Sequence, residues 1–81
     1  MEIAEVLRSH KGKRASVNSK ESQFYGWVVI DVEPLKAPEK SVSIIERVTN
    51  ELLVLNYFDA KEYHHIPLDK IMKVNVILRE R

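Results

Sequence analysis

The chain has 81 residues, 44% of them hydrophobic and 31% charged, with three prolines, two glycines and no cysteine. That length makes one domain rich in surface relative to core, which association with copies of itself would stabilise, and the lack of cysteine excludes disulfides, thiolate metal sites and cysteine nucleophiles. A formal net charge of +1 gives no global pull toward nucleic acid, although a ring of copies could focus local Lys and Arg into one patch.

The opening Met1-Glu2-Ile3-Ala4-Glu5 has neither the basic start nor the apolar stretch of a signal peptide, so the expected compartment is the cytoplasm. Apolar runs such as Val28-Val29-Ile30 are far too short to cross a bilayer, so no membrane partner is expected. Ile3, Val6, Leu7 and His10 fall on one helical face and Glu2, Glu5 and Arg8 on the other. This spacing predicts a short amphipathic helix over 2–10, ended by Gly12. So short a helix is marginal alone in water, and its apolar stripe should cover an open end or edge of a sheet.

A half-buried strand follows over about 13–19, with Ala15 and Val17 inward and Arg14, Ser16 and Asn18 outward. The loop Ser19-Lys20-Glu21-Ser22 turns it back into the strongest strand signal, 23–33. There Phe24, Gly26, Val28, Ile30 and Val32 share one face and Tyr25, Trp27, Val29 and Asp31 the other. Both faces are largely apolar, which requires cover on both, and Gly26 inside the strand predicts a sharp bend. Pro34 to Lys40, with two prolines, reads as a loop.

Residues 42–58 admit two readings. Ile45, Val48, Leu52 and Leu55 fit a helical face, while the Val, Ile and Thr content and the alternation through Leu52 to Leu55 fit a strand. A long bent strand with Thr49-Asn50 at the bend is the reading adopted, with a helix over 41–50 as its alternative. Asp59-Ala60-Lys61 then supplies turn chemistry, bringing Phe58 near Glu62 across a hairpin into a strand over 61–66. Pro67 ends that strand because it has no amide hydrogen for a central ladder. Met72 to Leu78 alternates as a last strand, about 70–77, before the charged exit Arg79-Glu80-Arg81.

Gly12-Lys13-Arg14-Ala15-Ser16-Val17, Phe24-Tyr25-Gly26-Trp27-Val28, Tyr57-Phe58-Asp59-Ala60-Lys61 and Ile66-Pro67-Leu68-Asp69-Lys70-Ile71 occur in the order and spacing of the Sm-like (LSm and Hfq) family. The chain resembles that family over most of its length outside 34–50, and a marine phage-associated branch is the home the resemblance suggests. It implies a mainly β fold: the short helix followed by a strongly bent five-stranded antiparallel Sm-like (SH3-like) open barrel, in a single up-and-down order. It also implies a ring of roughly five to seven subunits that binds single-stranded RNA as a chaperone or regulator. The departures bear on function. Asp31 stands five residues after Gly26 rather than the family's six, on the other face of the strand, no Asn follows it, and Pro67-Leu68 replaces the family's Arg-Gly. The usual uridine pocket is therefore not expected. His64-His65 resembles the Lys-His pair of the Hfq-like branch at the matching position.

These residues give a candidate RNA contact at His64, His65 and Lys70, with Lys13 and Arg14 as a second edge. A histidine at such a turn can donate to a base or phosphate or stack on a base; the competing reading is a hydrogen-bonded structural histidine. Adjacent strand residues point to opposite faces, so His64 and His65 cannot ligate one metal ion within a subunit, and no metal or other cofactor is expected. Tyr25 and Trp27 are stacking candidates, though aromatics on a two-sided apolar strand more often lie in a core or interface. His10-Lys11-Gly12-Lys13-Arg14 reads as a phosphate-contacting edge or as a solvated basic turn after a helix.

The first and last sheet edges lack internal proline and a dense run of lysines, so they invite pairing between copies. Strand 61–66 of one subunit would pair with strand 70–77 of the next through Glu62, Tyr63 and Ile66 on one side and Met72, Val74 and Val76 on the other. The second reading is a small SH3-like barrel that binds protein without RNA, favoured by the altered base pocket and near-neutral charge. An enzyme is third: there is no cysteine, no Gly-rich phosphate loop and no supported carboxylate pair.

Overall fold

The computed structural model of the chain describes residues 2–18, 26–37 and 42–78. They form α1 (Ile3–Ser9), β1 (Arg14–Asn18), β2 (Val28–Glu33), β3 (Ser43–Val48), β4 (Leu52–Tyr57), β5 (Glu62–Pro67), a 3-10 turn (Leu68–Lys70) and β6 (Ile71–Val76). The expectations for Ser19 to Ser22, Phe24, Tyr25, Pro38 to Lys40 and Arg79 to Arg81 lie outside the described residues.

The protein is mainly β with a short N-terminal helix, but the strands number six and form one open sheet, in the order β5-β4-β3-β1-β2-β6. Three expectations are corrected. The long bent strand over 42–58 is a hairpin of two strands, and no helix forms over its described part. Thr49 Oγ1 accepts the backbone N–H groups of Leu52 at 2.9 Å and Glu51 at 3.3 Å, so the Thr49-Asn50 bend tightens into a full turn that pairs Val48 with Leu53. The order is not a simple up-and-down one, because β1 rather than β2 lies beside β3. Nor is the sheet wholly antiparallel, since β6 pairs with β2 in parallel. In β2, Ile30 and Val32 face the core and Val29 is buried on the opposite face, and the second edge of this strand is taken by β6 rather than by β3. A strand apolar on both faces belongs inside a sheet, flanked on both sides.

Strand ends differ from expectation by a residue or so, except that Gly26 precedes β2 rather than bending it. Its φ of +85° places it in a turn, as does the +83° of Gly12 after α1, a left-handed backbone that glycine adopts without a Cβ clash. The hairpin between β4 and β5 closes at Tyr57 and Glu62, so the turn runs from Phe58 to Lys61, one residue earlier than read from Asp59.

Leu7 of α1 is fully buried and joins Ala15, Ile30, Val32, Ile45, Leu53, Leu55 and Ile71 in one core. Helix and sheet thus cover each other's apolar faces, each buried Leu, Ile or Val side chain contributing about 1.5–3 kcal/mol of transfer free energy. Arg8 secures the helix to the β3–β4 turn, its Nη2 donating to Asn50 Oδ1 at 3.2 Å and Thr49 O at 3.4 Å. The one buried polar side chain among the described residues, Ser43, donates its hydroxyl to the Ala15 carbonyl and so stitches β3 to β1.

β5 and β6 stand at opposite ends of the strand order yet are joined by only the Leu68–Lys70 turn. Four Cα steps reach at most about 14 Å, so the sheet must curl until those strands meet at one corner. Leu68 N, donating to Glu51 O at 2.9 Å, fixes that corner to the β3–β4 turn.

Candidate nucleic-acid interface

The period of two along β5 divides the residues read as one cluster. His64 pairs across the strands with Leu55, on the core side, and His65 pairs with Val54, on the outer side. The His64 ring lies 4.1 Å from the Tyr57 ring, and its Nε2 is 3.0 Å from Glu62 Oε1. That is a histidine held within its own strand pair. His65 opens instead into a groove on the outer face of the sheet, with Tyr63 two residues away on the same face.

The groove holds about 390 Å³ and is lined by Lys11, Glu46, Arg47, Val54, Tyr63 and His65. Its floor follows from register: Arg47 pairs with Val54 and Val54 with His65, so one row crosses β3, β4 and β5. A bulge between Ile45 and Arg47 adds one residue to β3, which lets Glu46 and Arg47, consecutive in sequence, both reach the same groove. Asn56, cross-strand neighbour of Tyr63, donates its Nδ2 hydrogen to Glu46 Oε1 at 3.1 Å. Lys11 enters from the turn after α1, where its N–H donates to Arg8 O at 3.2 Å. The arrangement offers an aromatic face that is 58% exposed at Tyr63, two full cations, one imidazole and one oriented carboxylate around an apolar floor.

Lys70 does not join this site. Its Nζ stands 5.8 Å from the centroid of the Trp27 ring, beside β2 and β6. Lys13 is exposed in the turn before β1 without lining the groove, and Arg14 begins β1 opposite Ile44 and Glu33. Of the anticipated RNA residues the structure therefore brings only His65 to the groove. Lys11 belonged to the basic stretch noted in the sequence; Arg47 gave no signal there, because its position depends on the bulge and on the pairing of β3 with β4.

A second concavity, about 640 Å³, lies near the start of α1 and the 3-10 turn, and among the described residues Glu2, Glu51 and Asp69 line it with no Lys or Arg. Further along the outer face, Asn75 Nδ2 donates to Asp31 Oδ1 at 2.8 Å and Asn18 Nδ2 to Asp31 Oδ2 at 3.4 Å, so Asp31 is engaged in a polar ladder across β1, β2 and β6. Among the described residues no three His, Cys, Asp or Glu side chains come together as a metal site, and no helix is long and apolar enough to cross a membrane.

The proposed assembly residues occupy the two terminal strands. On β5, Glu62 and Tyr63 are exposed and Ile66 is half-buried; on β6, Met72 and Val76 are exposed and Val74 is half-buried against the core. Among the described residues no strand pairs on the far side of β5 or of β6. The chain matches no family model, no curated protein and no solved structure.

Proposed function

We propose that the protein is a self-associating module that binds single-stranded RNA along the outer face of its sheet. The observation that carries this reading is the convergence of Tyr63, His65, Arg47 and Lys11 on one open groove. Single-stranded nucleic acid is held by aromatic faces that stack bases and by cations that track phosphates. Both are offered here within one groove, while the concavity beside α1 is lined by Glu2, Glu51 and Asp69.

Self-association is supported by the two unpaired strand edges and by the exposed Met72 and Val76 on β6. A head-to-tail contact between β5 of one copy and β6 of the next repeats until rotation closes it. The Sm-like kinship, with its ring of roughly five to seven copies, belongs to this proposal. The N-terminal helix on a curled sheet agrees with it, and the placement of β1 beside β3 departs from it.

The test is fluorescence anisotropy of a labelled hexamer of RNA across a salt series. Binding that weakens steadily with salt supports the reading, because phosphate neutralisation releases counterions. Binding of a protein ligand with little salt response, and none of RNA at low salt, would favour the SH3-like adaptor instead.

A further inference from the structure

We propose that the groove reads the base as well as the backbone, favouring guanine through Glu46 and disfavouring uracil. This rests on the RNA reading above and extends it to specificity.

Glu46 is half-buried and reaches the groove only because the β3 bulge turns it to the same side as Arg47. Its carboxylate is not free to swing: Asn56 Nδ2 holds Oε1 at 3.1 Å. Asn56 is in turn the cross-strand partner of Tyr63, so the fixed carboxylate and the aromatic face are near neighbours. A base stacked on Tyr63 would turn its edge toward Glu46 while Lys11 and Arg47 take the phosphates.

A carboxylate only accepts hydrogen bonds, and each oxygen has two acceptor positions, so Oε1 can serve Asn56 and still accept from a ligand. Guanine presents N1–H and the N2 amino group side by side, two donors that match the two carboxylate oxygens. Adenine and cytosine present one exocyclic amino group each. Uracil sets its single N3–H between two carbonyl oxygens, which face the carboxylate unfavourably. The order of affinity is therefore guanine first, adenine and cytosine between, and uracil last. The Glu46 carboxylate also offsets part of the positive charge of Lys11 and Arg47, which lowers the groove's attraction for polyanions in general.

The experiment compares four RNA hexamers, one all uridine and three carrying a single central guanine, inosine or adenine, on the parent chain and on Glu46→Gln. One well-made bidentate contact is worth about tenfold or more in discrimination, so the guanine hexamer should bind about tenfold tighter than the all-uridine one. Inosine, which lacks the N2 amino group, should fall between them. In Glu46→Gln the amide keeps an acceptor for Asn56 but offers one donor and one acceptor, which suit uracil, so the preference for guanine should vanish and binding of the all-uridine hexamer should strengthen. Equal affinity of the parent for all four hexamers would overturn the specificity while leaving RNA binding intact. So would an unchanged guanine preference in the variant. Absence of binding to every hexamer would remove the RNA reading and this inference with it. The parent ranking is a test in its own right should the variant fold poorly.

Discussion

The ring of His64 packs against that of Tyr57 at 4.1 Å between centroids, while the next residue, His65, opens onto the opposite face of the sheet. A pair that looks like one site in sequence is divided between the two faces of the sheet, with different neighbours. His65→Ala should weaken RNA binding without loss of fold, whereas His64→Ala should leave binding close to the parent and lower the melting temperature. Anisotropy titrations and thermal melts on both variants check this, and weakened binding by His64→Ala alone would reverse the assignment.

Lys11 and Arg47 are the two full cations of the groove, and their expected mark is a salt dependence. For single strands the slope of log K against log salt is about −0.7 per neutralised phosphate. Replacing either residue by Ala should therefore flatten the slope by about 0.7, and replacing both by about 1.4. An equal change from Lys70→Ala, whose ammonium lies over Trp27, would show that phosphates bind elsewhere.

Leu7 is the only residue of α1 that is fully buried, and it enters the core among Ala15, Ile45 and Leu53. Leu7→Ala should cost about 2–5 kcal/mol, a large part of the stability expected for a domain of this size. Urea unfolding followed by circular dichroism gives the number. A loss well under 1 kcal/mol, on the scale of exposed-site substitutions, would mean that the helix covers the core only loosely.

Met72 and Val76 are exposed on β6, 37% and 38% respectively, and Val74 between them packs on the core. Replacing Met72 and Val76 by Lys adds two charges to an edge strand whose one charged residue is Lys73, a standard barrier to strand pairing, and leaves the pairing of Val74 with Ile30 in place. Light scattering on the parent chain should give several times the chain mass of 9.4 kDa, and the double variant should approach one chain mass with its β content retained. A parent that runs as a monomer would defeat the self-association.

The periodicity of the sequence determined the short amphipathic helix and most strands: the alternation through Ala15, Ile30 and Ile71, and the turn chemistry around Asp59 and Pro67, are local properties that a window of a few residues displays. It also determined that His64 and His65 diverge, since neighbouring strand residues face opposite ways whatever the topology. Tertiary structure decided what pairing alone can decide. That β1 lies beside β3, that β6 runs parallel to β2, and that 43–57 folds into two strands around Thr49 depend on which apolar faces find cover and on one side-chain hydroxyl bonding its own turn. The groove belongs to the same class. Lys11, Arg47, Tyr63 and His65 come from three separate stretches of chain, and they meet because the β3 bulge and the register of β3, β4 and β5 align Arg47, Val54 and His65 in one row. Register is a long-range property, fixed by the packing of the whole sheet.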